Sequence, residues 1–342
     1  MHNKVLSADG AGAIIGGRNI QNRYFGLSGE HVFRDMDLFA TGPAAAEIDA
    51  SFDLFWNSPA AVDWQRRMDG MPSSSADQAP RWRQQIADWA NKAGLGPAGS
   101  LADDGAAVLD DPGMIWAQSV LLVDSPDIDE DAPGAGRIAE ALKRRLPQAS
   151  ESIDVEAGYF ILTEDAIKAI VAMIDKGVRV SLLSNSLRAS ESAMIYGGYW
   201  AGRDALIAKG QAVRELRGNA RLPLHPGVQG AQPQSTVHSK MAVIDARYTL
   251  VGSFNFDPRS ANLNTEIMLL IDSRSLASQA LSIMRAGWHA DHSYRLRHQG
   301  NETVWIDGQD DQAKVHTITP GATWLDQVVI RLVRYLPARW LL

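Results

Sequence analysis

The sequence has no cysteine among its 342 residues, so disulfide bonds and thiolate nucleophiles are excluded. The absence of cysteine does not indicate the cellular compartment, because reducing and oxidising compartments both tolerate cysteine-free proteins. No stretch reaches the roughly 18 consecutive apolar residues that a membrane-spanning helix needs, and the first residues are polar or ionisable rather than the apolar core of a signal peptide. Thiol redox chemistry and a membrane span are therefore excluded for this sequence.

An excess of positive charge is also missing. The chain has 33 Lys and Arg against 40 Asp and Glu, a formal net charge of −7. A broad nucleic-acid surface is normally basic, so this balance argues against one and leaves room only for a local phosphate pocket. The rest is ordinary globular composition, 45% hydrophobic and 21% charged, with length enough for two domains or one large core.

One pattern of polar residues occurs twice at identical offsets. The first copy is His2, Lys4, Asp9, Gly16 and Asn19, and the second is His238, Lys240, Asp245, Gly252 and Asn255. Random sequence of this composition gives one such match on the order of once in 10⁵ chains, so two copies indicate an internal repeat. In a strand, side chains two apart share a face, which predicts His238 and Lys240 side by side, with a hairpin returning through Tyr248–Val251.

These residue types suit phosphodiester transfer through a phosphohistidine. One imidazole attacks phosphorus and the other protonates the departing alkoxide, a contribution of roughly 10²- to 10⁴-fold. Cationic and amide side chains stabilise the phosphoryl oxygens without a metal ion or cofactor. That role falls to Lys4, Lys240, Asn19 and Asn255. The motif residues Asp9 and Asp245 are interpreted as mainly structural, stabilising the turns that follow.

The repeated pattern H-x-K-x4-D-x6-G-[GS]-x-N resembles the signature of the phospholipase D superfamily. The flanking segments GGRNIQNRYF and GSFNFDPRSANLNTE resemble the C-type branch of the bacterial cardiolipin synthases. This resemblance implies an α/β fold with a mixed sheet flanked by helices, in two pseudo-two-fold halves of which the first is incomplete. It also implies a downstream carboxylate that orients each histidine, Asp37 in the first half and Glu266 in the second. By the same analogy His2 is the nucleophile and His238 the acid and base.

The amount of chain before each histidine differs greatly. Roughly 120 residues of strand and helix pattern support His238, the size of one half-domain, whereas a single residue precedes His2. In that stretch, 152–160 reads as a strand, Thr163 as the cap of a helix closed by Gly177, and 178–183 as the next strand. We therefore expect Met1 to be an internal methionine of a longer natural protein. The predicted division is a remnant of the first half at 1–69, a connection at 70–114, the second half at 115–300 and a tail at 301–342.

Four further segments contain apolar or aromatic residues. Two of them are predicted to pack in the core, and the other two have two alternative interpretations. The helix 44–56 is predicted to bury Ile48, Phe52 and Phe55, and Trp82 and Trp89 of the connecting segment are interpreted as packing residues. A helix from 190 to 210, interrupted at Gly197–Gly198, places Tyr196, Tyr199 and Trp200 either in a substrate groove or in ordinary packing. The C-terminal apolar stripe from Trp324 to Leu336 fits either a membrane interface or the protein's own core.

The resemblance implies a phosphatidyltransferase acting on phospholipids such as phosphatidylglycerol, with peripheral membrane contact, at the bacterial inner membrane or in the cytoplasm. It argues against nucleic acid as a partner and implies no metal and no cofactor. Three alternatives stay open at this point: a phospholipase that transfers to water, a nuclease-type phosphodiesterase, and an inactive fragment.

Overall fold

The computed structural model describes residues 1–26, 31–63, 79–92, 113–126, 136–222, 233–300, 302–309 and 313–335. The chain divides into two compact units. One comprises Met1–Ser58 with Ala117–Leu342, and the other comprises Pro59–Trp116. The second unit carries one helix among its described residues, Ala79–Lys92. The side chains of Trp82 and Trp89 lie outside the described part, so their packing role stays a prediction.

Strands and helices alternate along most of the described chain. The strands are β1 (Val5–Ala8), β2 (Gly12–Gly16), β3 (His31–Arg34), β4 (Asp37–Thr41), β5 (Gln118–Val123), β6 (Ser152–Ala157), β7 (Arg179–Asn185), β8 (Ala212–Leu216), β9 (Gln234–Val237), β10 (Lys240–Ile244), β11 (Tyr248–Gly252), β12 (Ile267–Asp272), β13 (Ser293–Gln299), β14 (Glu302–Asp307) and β15 (Lys314–His316). The helices are α1 (Pro43–Trp56), α2 (Ala79–Lys92), α3 (Arg137–Arg145), α4 (Glu164–Asp175), α5 (Ala193–Gly198), α6 (Trp200–Ala208), α7 (Pro258–Asn262), α8 (Arg274–Trp288) and α9 (Trp324–Tyr335).

The large sheet joins ten of the described strands in the order β15-β14-β13-β8-β7-β6-β10-β11-β12-β5. The β6–β7 and β7–β8 pairs are parallel and the other neighbours are antiparallel, which confirms the predicted mixed sheet. Both faces are covered. Met241 and Val243 of β10 pack with residues of α8, whereas Ala242 and Ile244 belong to the core on the opposite face. Helices on both faces explain why β10 is buried throughout.

The predicted remnant of the first half contains a small antiparallel sheet, β1-β2-β4, with α1 packed against it. Ile15 and Ile48 of this remnant join Ile267 and Leu269 of the large sheet in one apolar cluster. The prediction for α1 is corrected at Phe52, which is 53% exposed and stacks on Trp56 at 5.7 Å. The helix buries only the narrow stripe of Ala45, Ile48 and Ser51, so Phe52 falls on the outer face.

Local signals elsewhere are confirmed. The Thr163 side chain accepts a hydrogen bond from the Ala166 N–H at the start of α4, and Gly177 follows that helix with φ +97°. The interruption after Gly198 separates α5 from α6. Tyr196 and Tyr199, however, are both 3% exposed, which supports packing over a substrate groove. Within the part of the chain that the structure describes, no helix combines the length and the apolarity needed to cross a bilayer.

The strands β3 and β9 form a short parallel pair, which places the start of the second motif beside the first-half segment. Its register sets Arg34 opposite Val237, the last residues of the two strands. Because parallel strands run in the same direction, the next residues, Asp35 and His238, emerge together. The sheet edge thus places a first-half carboxylate beside the second-motif histidine.

Candidate active site

The second motif is held through its backbone. Asn185 of β7 donates its amide to the Val237 carbonyl at 2.8 Å and accepts the Val237 N–H at 2.8 Å. The N–H groups of His238 and Ser239 both donate to the Arg34 carbonyl. His238 therefore lies in a break between β9 and β10, rather than in the continuous strand predicted from the sequence. Because these contacts fix the main chain, the imidazole starts from one defined position.

The lysines of the two motifs repeat one geometry. Lys4 Nζ donates to the His2 carbonyl at 2.8 Å, and Lys240 Nζ donates to the His238 carbonyl at 2.5 Å. The His2 N–H in turn donates to the Thr265 carbonyl, so the first motif starts beside the chain that enters β12. Each lysine thus stays next to its own histidine.

The carboxylates that orient the histidines are exchanged between halves. His2 Nδ1 lies 2.9 Å from both oxygens of Glu266, which belongs to the second half. His238 Nδ1 lies 2.6 Å from Asp35 Oδ2, which belongs to the first half. The prediction paired Glu266 with the second-half histidine, and the structure corrects that assignment. Both carboxylates are fully buried, so each pair is shielded from solvent.

Asp37, predicted to orient a histidine, accepts a hydrogen bond from Arg18 instead. Burial raises its pKa, while the hydrogen bond from Arg18 opposes the rise. Asp37 begins β4, where it pairs with Gly16 of β2, away from the end of β3. The segment RDMD contains two carboxylates, Asp35 and Asp37. The register of β3 against β9 determines that Asp35 is the one beside His238.

The motif aspartates occupy turns at the far ends of their hairpins. Asp9 and Gly10 have φ +51° and +63°, and Asp245 and Ala246 have +53° and +47°. Two consecutive positive φ values define a type I′ turn, which Asp tolerates well. Asp245 also accepts N–H groups of 150–152, and although burial alone would raise its pKa, these hydrogen bonds lower it. This geometry agrees with the structural role expected of Asp9 and Asp245.

The motif glycines are required by close backbone approach. A Cβ on Gly252 would lie 2.2 Å from the Ile267 carbonyl oxygen, and one on Gly16 would lie 2.7 Å from the Met36 carbonyl oxygen. Real Cβ atoms do not approach so closely, so both hairpins need glycine where the next strand packs against them.

The motif asparagines have different surroundings. Asn19 donates its side-chain amide to the Tyr24 hydroxyl at 2.7 Å, and that hydroxyl lies 3.2 Å from His238 Nε2. Asn255 donates its backbone N–H to Ser260 Oγ at 3.2 Å, and its side-chain oxygen is buried without a partner among the described residues. The Asn255 side chain therefore has an unused acceptor.

The site sets two lysines, Lys4 and Lys240, close to the buried carboxylates Asp35 and Glu266. Burial first, and then the charge of Lys240, lower the pKa of Lys4 to about 8. Burial also lowers the pKa of Lys240, and burial together with Lys240 lowers that of His238 to about 4. Burial raises the pKa of Asp257, the cap of α7, to about 6. An anion entering the site would relieve the repulsion between the lysines, so the pocket favours a phosphoryl group.

Sequence reasoning missed three residues of this site. Asp35, Tyr24 and Asn185 all contact His238 or the residue before it, and all come from other segments of the chain. The sequence hinted at Asp35 and Tyr24 only, because the segments RDMD and NRYF that contain them follow the first motif closely. Within the described ranges, no group of three His, Asp or Glu side chains is arranged to hold a metal ion.

Known proteins similar to this chain are phospholipase D-like. The family described as "Cardiolipin synthase, PLD-like domain" matches residues 142–288. The chain is 31% identical to Escherichia coli cardiolipin synthase C over the whole chain and 73% of that protein. It is 27% identical to an uncharacterized Helicobacter pylori protein, over 99% of the chain and 67% of that protein.

Among solved structures, the phosphatidylserine synthase of Haemophilus influenzae superposes with a TM-score of 0.56 at 16% identity, covering 98% of the chain and 68% of that protein. That likeness confirms the phospholipase D-like fold. The whole-chain similarity to cardiolipin synthase C shows that the chain belongs to the cardiolipin synthase family of phospholipase D-like enzymes.

Proposed function

We propose that the protein is a phosphatidyltransferase that works through a phosphohistidine on phospholipid phosphodiesters. The exchange of carboxylates between His2 and His238 carries this proposal, because it ties the two imidazoles into one site. A carboxylate on Nδ1 fixes the tautomer that leaves Nε2 free for chemistry, and it stabilises the cationic imidazole.

In the first step His2 Nε2 attacks phosphorus, and the bond from phosphorus to the departing alcohol oxygen breaks. His238 Nε2 gives that oxygen a proton. In the second step the hydroxyl of an acceptor lipid attacks, its proton passes to His238, and the phosphorus–nitrogen bond to His2 breaks. With phosphatidylglycerol as donor and acceptor, the products are cardiolipin and glycerol, and the enzyme returns to its starting state.

Two observations favour His2 as the nucleophile. Within the described residues nothing hydrogen-bonds Nε2 of His2, whereas Nε2 of His238 faces the Tyr24 hydroxyl. The low pKa of His238, about 4, keeps its imidazole neutral in the free enzyme. Neutral imidazole is the form that accepts a proton from an attacking alcohol, and the anionic substrate raises the pKa of His238 for the first step.

The lysines and Asn255 serve the phosphoryl oxygens, whereas Asn19 donates to the Tyr24 hydroxyl. Lys4 and Lys240 bring positive charge, and the Asn255 amide offers donors in a buried site where hydrogen bonds to a developing charge are strong. Asp9 and Asp245 act only through the turns that shape the hairpins.

A membrane surface is the proposed partner, which makes this a peripheral protein of the bacterial inner membrane. Helix α9 packs on α5, where Val333 faces Gly197. Its outer face leaves a row of apolar side chains exposed: Trp324, Leu325, Val328 and Leu332. Helix α5 leads to the active site, because its Ile195 lines a small cleft with His238. An apolar face with Trp, on a helix that packs against α5, suits the bilayer interface. Leu336, the last residue of the predicted stripe, lies outside the described residues.

The function is tested by incubating the chain with phosphatidylglycerol vesicles and, separately, with plasmid DNA. We expect cardiolipin from the vesicles, none with the His238→Ala variant, and undiminished product with His289→Ala, a control on a half-exposed histidine elsewhere. Phosphatidic acid alone would identify a phospholipase, plasmid cleavage without lipid turnover would identify a nuclease, and no product at all would indicate an inactive chain.

Membrane contact is tested by sedimentation with the same vesicles. The double variant Leu325→Ser and Leu332→Ser should reduce the bound fraction, since each leucine is 56% exposed and loses apolar contact with the bilayer. Unchanged binding would contradict the assignment of α9. A shift from dimer to monomer in the same variant would identify a second copy of the chain as the occupant.

A further inference from the structure

The hydroxyl of Tyr24 covers the reactive nitrogen of His238. The two atoms lie 3.2 Å apart, and Tyr24 is 4% exposed. The Asp35 carboxylate can only accept, so its contact with Nδ1 of His238 assigns the proton to Nδ1 and the lone pair to Nε2, to which the phenol donates. Lys240 Nζ also lies 3.0 Å from Nδ1 and 3.4 Å from Nε2 of the same ring. The Asn19 amide completes the chain by donating to the phenol oxygen. Burial raises the pKa of Tyr24 to about 12, so this hydroxyl keeps its proton over the working pH range.

The arrangement exists on one side of the site only. Tyr24 stands five residues after Asn19, and the residue five after Asn255 is Ser260, whose hydroxyl accepts from the Asn255 backbone. His2 has no counterpart of the phenol among the described residues. The two halves of the repeat therefore differ at Nε2 of His238, the nitrogen that exchanges a proton with the alcohol in the proposed mechanism.

The phenol imitates an alcohol bound to the general base. In the second step an acceptor hydroxyl must donate to His238 Nε2, and Tyr24 donates to the same lone pair in the free enzyme. An acceptor must therefore displace the phenol. This exchange breaks one hydrogen bond, from Tyr24 to His238. A polyol headgroup offsets that loss with further contacts to the site, whereas a single water molecule cannot.

We propose that Tyr24 determines acceptor specificity, holding the alcohol position on His238 so that the phosphatidyl-enzyme passes to a lipid hydroxyl rather than to water. This inference rests on the proposed function. Tyr24 acts through His238 and is a positioning residue.

The local structure allows the phenol to withdraw. Tyr24 ends a short 3₁₀ turn, Asn22–Tyr24, and its ring packs on Phe33 at a centroid distance of 4.8 Å. On either side of this turn, Ile20 is 99% exposed and Phe25 is 52% exposed. The turn is held by the tyrosine ring and by the Tyr24 carbonyl, which accepts a hydrogen bond from Arg18.

The test is the Tyr24→Phe variant of the 342-residue chain, which keeps the ring and removes the hydroxyl. With phosphatidylglycerol vesicles, we expect the ratio of phosphatidic acid to cardiolipin to rise roughly fivefold, the effect of one typical hydrogen bond on an equilibrium. An NMR titration of the His238 ring nitrogens should show its pKa rising by ~0.7, because the lost bond favoured the neutral form. Asp35, Lys240 and Lys4 act on His238 in both proteins and do not change.

The matched control is Tyr159→Phe. Tyr159 also faces His238, with ring centroids 6.4 Å apart, but its hydroxyl donates to Glu191. The control should leave both the product ratio and the His238 pKa unchanged. In the wild-type chain at neutral pH, the ring spectrum should show Nε2 of His238 without a proton.

Each outcome decides the inference. An unchanged product ratio, an unchanged pKa, or a protonated Nε2 in the wild type overturns it. If the wild-type chain forms no lipid product, the proposed function fails and the acceptor role of Tyr24 fails with it, whereas the titration separately decides whether the contact exists.

Discussion

Replacing Glu266 by Gln tests the exchange of carboxylates most sharply. The Glu266 carboxylate is fully buried and lies 2.9 Å from His2 Nδ1, and it also accepts from Ser253 Oγ at 2.5 Å and from Asn264 Nδ2 at 3.1 Å. Gln keeps the shape but loses the charge, and its NH₂ group faces other donors. A hydrogen bond to a charged group contributes roughly 1.5–3 kcal/mol.

At 1.36 kcal/mol for each factor of ten, this loss predicts a fall in kcat/KM of roughly 10- to 150-fold. The assay is cardiolipin formation from phosphatidylglycerol vesicles. In an NMR spectrum of the histidine rings, the signals of His2 should move while those of His238 stay in place. Glu140→Gln, on the exposed surface of α3 beside Lys143, serves as the control and should change neither readout.

The reasoning is refuted if Glu266→Gln moves the signals of His238 and spares His2. It is refuted as well if Asp37→Asn lowers activity as much as Asp35→Asn, because Asp37 contacts Arg18 and Asp35 contacts His238.

Three further predictions follow from burial and backbone geometry. Activity should fall as the pH rises through about 8, because Lys4 loses its charge there, and a Lys4→Arg variant that retains activity should lack this alkaline limb in its pH–kcat/KM profile. Gly252→Ala should lower the free energy of unfolding by roughly 1–3 kcal/mol in urea titrations, since the new Cβ would meet the Ile267 carbonyl; an unchanged midpoint would contradict the close approach. Asn185→Ala should cost roughly 2–3 kcal/mol for two buried hydrogen bonds, whereas Asn57→Ala, on the exposed end of α1, should cost well under 1 kcal/mol; equal effects would argue against the clamp on Val237.

The parts of the fold that depend on neighbouring residues were predictable from the sequence. The cap at Thr163 and the break after Gly198 rest on contacts within a few residues. The paired motifs were predictable for another reason, since the same offsets recur in two hairpins of the same geometry. In both cases the information lies in short spacings along the chain.

The errors concern contacts between distant segments. Asp35 and Asp37 are equivalent in sequence, and the parallel pairing of β3 with β9, some two hundred residues apart, decides between them. Phe52 has the spacing of a buried residue, yet the small sheet covers only a narrow stripe of α1. For Tyr199 the sequence left a groove and ordinary packing open, and a charged core decides for packing: Arg203 lies over its ring, and Glu215 is fully buried nearby. Helical periodicity indicates which residues share a face and says little about what will cover that face.

The most direct test of the account is capture of the covalent intermediate. The chain is mixed with short-chain phosphatidylglycerol, quenched at alkaline pH to preserve a phosphorus–nitrogen bond, and examined by intact and peptide mass spectrometry. We predict one phosphatidyl group on His2, absent from His2→Ala. In His238→Ala the adduct should form slowly, because the acid of the first step is missing, and should then persist, because the base of the second step is missing too. Cardiolipin formation with no adduct on either histidine, or an adduct on His238 alone, would contradict the account.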